Sequence, residues 1–433
     1  MTEPDAVPES GGYIAGGSDA DESCDVTAER LVAGGEALAR RPDGRVVLVR
    51  GAWPGERVRV RLLGPQRGVE RGEIDEVLTP SPDRRPVHCA HVDDGCGGCD
   101  LPGFSPAGQV TAKLEMVADA LRRLGRVSDP QVRPGPPLPA EAFRTTMRLA
   151  VTQGRAGLRA AASHDVVTLD HCVVAHPLLD ELVAEGRFGA ALEVTLRVGA
   201  GTGERLALVT PTAEGVELPD DVVVVGADEL ASGRRAWIHE EVAGRRWRIS
   251  AASFFQTRAD GAEALVEVVH DALADLLAVG DGNDSEARAR TLVDAYCGVG
   301  LFAGSLLDRV PDGSRPWRVV AVERSRSSVA DARHNLDDLP ARVVGSSVER
   351  FRPSRAEVVV ADPSRAGLGR AAVAVLAATQ AERMVLVSCD AASAGRDAAL
   401  LGSAGYQLVE SVVVDVFPHT SHVEIVSRFD RQA

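Results

Sequence analysis

Apolar and polar positions follow three rhythms along this chain. Between about Val26 and Pro80 the apolar runs are short and alternate with polar residues. Arg45-Val46-Val47-Leu48-Val49 precedes the turn Trp53-Pro54-Gly55, and Arg57-Val58-Arg59-Val60-Arg61 alternates strictly, which puts three arginines on one strand face. Gly72 to Leu78 reads as a further strand, so residues 26–80 are expected to form a small OB-like β-barrel. The second rhythm is mixed. Gln109 to Leu124 sets Val110, Leu114, Val117, Leu121 and Leu124 on one helical stripe, an amphipathic helix able to pack on the C-terminal domain. Pro130 to Pro139 reads as a linker, and residues 143–250 alternate like strands, as in Val222–Val225 and Trp247–Ser250. Residues 81–255 are therefore expected to be a mixed α+β middle domain ending at Phe254-Phe255-Gln256.

The third rhythm starts after a helix predicted over Gly261–Leu277 and a polar loop over Gly280–Arg288. Seven strands alternate with helices: Thr291–Tyr296, Arg318–Glu323, Ala341–Val344, Glu357–Asp362, Arg383–Cys389, Leu408–Phe417 and Val423–Phe429. A short Pro-His-Thr-Ser turn joins the last two. The pattern predicts an α/β, Rossmann-like C-terminal domain over 256–433, with a doubly wound seven-stranded sheet and an antiparallel terminal hairpin.

Composition narrows the class. The chain has 433 residues, 45% of them hydrophobic, enough for two or three domains. No apolar run reaches about 18 residues and the N-terminus lacks a basic-then-apolar pattern, so a cytoplasmic protein with no membrane span is expected. The net charge of −15 argues against a simple nucleic-acid binder. About half of that excess sits at the start, where Glu3, Asp5, Glu9, Asp19, Asp21, Glu22, Asp25 and Glu29 have no basic neighbour before Arg30; residues 1–25 are expected to be a disordered acidic tail. Lys113 is the only lysine, and the reliance on arginine is read as compositional bias.

Cysteine placement changes the picture more. Cys89, Cys96 and Cys99 are separated by six and then two residues around Gly97-Gly98, a metal-ligand spacing in which the glycines let the backbone fold tightly. Cys172 is the best candidate for a fourth thiolate. Four cysteines suit zinc or a [4Fe–4S] cluster, and spacing alone does not choose.

In an open α/β sheet, ligands sit beyond the carboxyl ends of the parallel strands. Those ends carry Asp294, Glu323, Asp362 and Cys389, and the reversed last strand brings His422 to Glu424 to the same edge. Cys389 alone reads as a small core residue; beside a carboxylate, a thiol suits covalent attack followed by proton removal. Cys297-Gly298-Val299-Gly300 is a glycine turn, and Glu323 ends the second strand where an acid accepts from a ribose. Together these indicate a nucleoside cofactor, and the missing Walker-type lysine argues against a nucleoside triphosphate.

In this order, Asp294-Ala-Tyr-Cys-Gly-Val-Gly-Leu-Phe302, Asp362-Pro-Ser-Arg-Ala-Gly367, Ser388-Cys389-Asp390 and Phe417-Pro-His-Thr-Ser-His-Val-Glu424 resemble the RNA 5-methyluridine methyltransferase family. Pro54-Gly55-Glu56 with the alternating strand resembles that family's TRAM domain, and Cys89, Cys96, Cys99 and Cys172 resemble its [4Fe–4S] site. Ser364 and Ala391 stand where the family more often has proline. The resemblance implies S-adenosylmethionine as methyl donor, held by Gln256, Tyr296, Gly298, Gly300, Glu323, Ser347 and Asp362. It implies Cys389 as nucleophile toward C6 of a uracil and Glu424 as the base that removes the C5 proton. A thiol ordinarily titrates near 8.5, so surroundings that lower that value are expected around Cys389. The implied partner is RNA, ribosomal RNA ahead of transfer RNA, acted on by a monomer. A non-catalytic iron–sulfur RNA-binding or chaperone protein of the same fold is the alternative from another class.

Overall fold

The computed structural model describes residues 22–66, 68–161, 163–278 and 288–432. Most of the expected acidic tail and of the loop over Gly280–Arg288 lies outside them. The tail was drawn too long, because Ser23–Leu31 is already strand and Ser23 to Asp25 belong to it. The chain divides into two compact units, one of residues up to 32 with 36–82, the other of residues 33–35 with 83 onward.

In the first unit, β1 (Ser23–Leu31), β2 (Glu36–Arg40), β3 (Val46–Arg50), β4 (Arg57–Gln66) and β5 (Val69–Thr79) close into a barrel in the order β1-β2-β3-β5-β4. Strand alternation explains its interior: Ala37, Ala39, Val47, Val49, Val58, Val60 and Leu62 point inward and are buried. Arg57, Arg59 and Arg61 share the outer face of β4, as the alternation predicts, but each has an acidic partner. Arg57 and Arg59 each donate to Asp25 at 3.1 Å, Arg59 also donates to Glu76 at 2.8 Å, and Arg61 pairs with Glu73.

The second unit opens with α1 (Pro106–Arg123), whose start is fixed by Ser105 accepting from the Gly108 N–H at 3.0 Å, and β6 (Val132–Pro134). A six-stranded sheet follows. It is built from β7 (Thr146–Thr152), β8 (Arg155–Arg159), β9 (Val166–Thr168), β11 (Glu193–Val198), β12 (Arg205–Thr210) and β14 (Val222–Gly226), in the order β14-β12-β11-β7-β8-β9. Around it lie α2 (Pro177–Glu185), α3 (Ala227–Ala231), the short ladder of β10 (Arg187–Phe188) with β13 (Val216–Glu217), and the hairpin of β15 (Trp237–Val242) with β16 (Arg245–Ser250).

From α4 (Ala259–Leu277) the chain alternates: β17 (Arg290–Ala295), α5 (Leu301–Leu307), β18 (Trp317–Glu323), α6 (Arg326–Asn335), β19 (Ala341–Gly345), β20 (Val358–Ala361), α7 (Gly369–Ala377), β21 (Arg383–Ser388), α8 (Ala391–Ser403), β22 (Tyr406–Val414) and β23 (Glu424–Arg431). The sheet order is β19-β18-β17-β20-β21-β23-β22-β6. β17 to β21 are mutually parallel and β23 runs against both neighbours. The sheet thus has eight strands, not seven. The extra one is β6, inside the stretch expected to be a linker; it pairs Val132 to Pro134 with Ser411 to Val413. Three residues are too few to show a period, and Pro134 lacks an N–H, which an outermost strand tolerates.

Both faces of this sheet are covered, which is why its strands are near-continuous apolar runs. In β20, Val358 and Val360 join a core with Leu265, Phe302 and Trp247, while Val359 and Ala361 join another with Leu376, Leu401, Met116, Val117 and Leu121. The last three belong to α1, which therefore packs on the C-terminal sheet. Among the described residues no helix is long and apolar enough to cross a membrane.

Candidate active site

The ends of the parallel strands meet on one edge. Asp294 is the last residue but one of β17, Glu323 ends β18, Asp362 follows β20 and Cys389 follows β21. β21 and β23 are antiparallel and their ladder pairs Ser388 with Ile425 at its end. One step further out, Cys389 faces Glu424, the first residue of β23. A cavity of about 870 Å³ opens there, lined by Gln256, Tyr296, Gly298, Glu323, Ser347, Asp362, Cys389 and Glu424 among others. Gly300 is not on its wall. It caps α5 with φ 99°, and a Cβ there would come within 3.0 Å of Leu336, so glycine lets the turn take this shape.

On the side of the glycine turn, Glu323 accepts the N–H of Gly298 at 3.1 Å and that of Ser325 at 2.7 Å. Two carboxylate oxygens offer about four acceptor positions, so capacity remains for hydroxyl donors. Tyr296 has φ 63°, a left-handed conformation that a bulky side chain rarely adopts, and such strain concentrates at functional positions. Asp294 is fully buried and accepts the Ala303 N–H at the start of α5 at 2.9 Å, while its other oxygen has no partner. Burial, with Asp362 and Glu323 nearby, pushes it up to about 8. The opposite wall is the irregular stretch after β16. Asp331 of α6 fastens it by accepting the Ser250 N–H at 2.8 Å and the Ser253 hydroxyl at 2.6 Å. That places Gln256, whose amide donates to Asp362 at 3.3 Å.

Around the thiol the expectation of a lowered pKa is overturned. Burial first, then the neighbouring carboxylates of Glu424 and Asp362, push Cys389 up to about 12; only the Arg365 guanidinium and a backbone hydrogen bond work against them. The sequence placed the acids on the same edge as the cysteine but did not show that their charge, with burial, would outweigh Arg365. Glu424 is 4% exposed and its Oε2 has no partner. Burial and the Asp362 charge raise it well above the usual carboxylate range, against the pull of Arg365. Asp362 itself is raised to about 7 by burial. Arg365 lies 3.3 Å from His422 Nε2, and both line the cavity with Arg144. None of these three was assigned a role from sequence. Arg365 and His422 lie inside the quoted motifs and could have been found there; Arg144 carries no local signal.

The four cysteines of the ligand spacing are free thiols, and Cys99 feels the charge of Cys172, Cys96 and Cys89. Glycine is required between them. A Cβ on Gly97 would meet the Arg159 carbonyl at 2.7 Å, and one on Gly98 would meet Leu158 at 2.7 Å and the Cys96 sulfur at 3.5 Å. Among the described residues no three His, Cys, Asp or Glu side chains already converge as a ligand shell. In kind the donor set, four soft sulfurs around a glycine cradle, fits zinc or an iron–sulfur cluster.

No family model matches the chain. Its relatives are informative. A protein of Streptomyces avermitilis named an uncharacterized RNA methyltransferase is 34% identical over 436 residues, covering 94% of this chain and 98% of the relative. One of Streptomyces coelicolor with the same description is 34% identical over 436 residues, covering 94% and 92%. The chain belongs to the RNA methyltransferase family. A further member of this RNA methyltransferase family, from Gloeobacter violaceus, is 30% identical over 452 residues, covering 93% and 95%. Among solved structures, the Pyrococcus abyssi tRNA (uracil-54, C5)-methyltransferase in complex with S-adenosyl-L-homocysteine has the same fold. It matches with a TM-score of 0.68 and 23% identity, over 95% of this chain and 100% of that one.

Proposed function

We propose that this chain is an S-adenosylmethionine-dependent RNA methyltransferase that acts on C5 of a uridine, with ribosomal RNA favoured over transfer RNA. The observation that carries the reading is the placement of Cys389 opposite Glu424 at the open end of the β21–β23 ladder, in a cavity that also holds the Glu323 turn. The likeness in fold to an enzyme named for uracil C5 methylation supports it.

S-adenosylmethionine would be held by Glu323, Gly298, Gln256 and Asp362, and it would supply an electrophilic methyl group, its methyl–sulfur bond breaking to leave the neutral thioether S-adenosylhomocysteine. Uracil C5 is a weak nucleophile until C6 has an added nucleophile. The sulfur of Cys389 bonds to C6, and the electron pair of the C5–C6 double bond moves toward O4 to give an enolate. C5 then takes the methyl group. Glu424 accepts the C5 proton, the double bond re-forms, and the Cys389–C6 bond breaks with the thiolate as leaving group. Cys389 must lose its proton before the first step, and Glu424 must be ionised before the last. In the free site burial and nearby carboxylates favour the protonated forms, Glu424 and Asp362 acting on the thiol and Asp362 acting on Glu424. Arg365, which opposes both shifts, is the local group that favours the ionised forms. The target base has to leave any stack to reach this edge. The thiol set Cys89, Cys96, Cys99 and Cys172 would hold a [4Fe–4S] cluster, and the barrel of residues 26–80 would serve as a TRAM-type RNA-binding domain.

The reaction order gives the test. Glu424→Gln keeps the shape and removes the basicity, so methylated RNA should stay attached to the protein through denaturation, with turnover down by about 10²–10⁴-fold. Cys389→Ala and the double substitution should form no such complex. Denaturing gels with labelled RNA and S-adenosylmethionine read this directly. A Glu424→Gln protein that turns over normally, or binds both substrates without forming the complex, would show that another group is the base.

A further inference from the structure

The segment that follows Cys99 grips the turn that precedes Glu424. Asp100 accepts both the N–H of Ser421 at 3.2 Å and its hydroxyl at 2.9 Å. The Leu101 N–H donates to the His419 carbonyl at 3.0 Å. The His419 N–H donates to Gln109 Oε1 at 2.6 Å, and the amide nitrogen of Gln109 is tied in turn to the Phe104 carbonyl at 2.7 Å. Lys113 Nζ donates to Asp415 at 2.6 Å and to the Phe417 carbonyl at 3.0 Å. Leu101, Gln109 and Lys113 are fully buried. Burying an ammonium and an amide is costly unless they are satisfied, and here their partners all lie in α1, the loop before it or this turn.

The turn has reason to need support. His419 has φ 63°, a strained conformation that persists only where the surroundings over-determine it. Oε2 of Glu424 has no hydrogen-bond partner to constrain it. The main chain that enters β23 therefore carries much of its orientation.

We propose that Asp100, Gln109 and Lys113 are positioning residues that fix the carboxylate of Glu424 opposite Cys389. They act across 302 to 321 residues of sequence. This rests on the reading of Glu424 as the base. A base that takes its proton only after methyl transfer has to be in place at a late intermediate. Loosening the turn should therefore slow the last step more than the earlier ones, a signature that a general loss of structure does not give.

Asp100→Ala and Gln109→Ala, made in the full chain, are compared with Glu424→Gln on denaturing gels with labelled uridine-containing RNA and S-adenosylmethionine. Cofactor affinity by calorimetry serves as the folding check. The expected result is unchanged cofactor affinity, turnover reduced roughly 10–100-fold, and methylated RNA attached to the protein as in Glu424→Gln. Ser421→Ala, which removes one of the two bonds to Asp100, gives the same reading at smaller amplitude should Asp100→Ala not fold. Wild-type turnover in folded variants overturns the proposal. So does lost turnover without attached RNA while Glu424→Gln accumulates it. If Glu424→Gln itself holds no RNA, the reading of the base has failed, and hydrogen exchange decides the brace. Faster exchange over residues 417–424 in Asp100→Ala retains it; unchanged exchange removes it.

Discussion

The arginine face of the barrel and the edge of the C-terminal sheet both gather charged side chains, to opposite ends. On β4, Arg57, Arg59 and Arg61 are between 39% and 59% exposed and each meets a carboxylate of β1 or β5. In water such pairs contribute about 0.2–1 kcal/mol, and the face they form is close to neutral. At the sheet edge, Asp294 and Glu424 are buried with one oxygen each left unpartnered. An unpaired buried carboxylate is expensive as an anion, so it stays protonated until something offsets its charge. The solvated face is satisfied and can be altered cheaply. The buried edge is unsatisfied, and the imbalance shifts the protonation of its groups.

That contrast can be tested in order of expected effect. The largest effect is expected at the cysteine set, where four thiols are the candidate ligands. Protein purified without oxygen should be brown with about four irons per chain, and Cys172→Ser should lose the metal. One zinc in colourless protein would refute iron while keeping the site. Next comes the Cys389 thiol. Because it is raised to about 12, its alkylation rate, followed by mass spectrometry of its peptide, should rise about tenfold per pH unit from 7 to 10 without a plateau. Asp362→Asn removes a repelling charge and should move that curve to lower pH, whereas Arg365→Gln should move it higher; no shift in either would leave burial and Glu424 to set the value.

Asp294 gives a stability effect of intermediate size. Its folded value of about 8 stands above the usual 3.8, so the folded chain binds the extra proton. Stability from this group is full below about 3.8 and falls as pH rises through 8. Asp294→Asn mimics the protonated acid, so melting should be little changed at low pH and should occur at higher temperature than wild type at pH 8. A wild-type-like decline between those pH values in the variant would exclude Asp294 as its cause. Smallest is the barrel face. Replacing Arg57, Arg59 and Arg61 by alanine should change stability by no more than about 1 kcal/mol per pair removed. Asp25→Asn with Glu76→Gln, which frees two guanidinium groups, should strengthen RNA binding and steepen its salt dependence.

Much of this arrangement was legible in the residues. The strand ends carrying Asp294, Glu323, Asp362 and Cys389 follow from apolar runs that stop at a polar residue, and the reversal before Glu424 follows from the Pro418–Ser421 turn. The alternation of β4 was equally plain. What stayed hidden depends on pairing across long separations. Nothing around Val132 announces that it will meet Ser411, nothing near Arg59 names Asp25 and Glu76, and the depth of burial that raises the Cys389 thiol depends on packing that the strand ends do not show. Lys113 could be singled out as the only lysine, but not as a buried contact to Asp415.

The outermost strand of the large sheet sets an order of assembly during synthesis. Arg133 of β6 meets Glu410 of β22 across 277 residues. At a ribosomal rate of roughly 5–20 residues per second, β6 and the apolar stripe of α1 wait about 14–55 s for their partners to emerge. For much of that interval Met116, Val117 and Leu121 wait for the strands and helices that complete their core. The β-barrel and the six-stranded sheet can form from chain already made, while the helix that precedes that sheet is the last early segment to find its place. A nascent chain of this protein therefore leaves the apolar stripe of this helix uncovered for a long interval, and it is there that a chaperone holding the growing polypeptide would have something to shield.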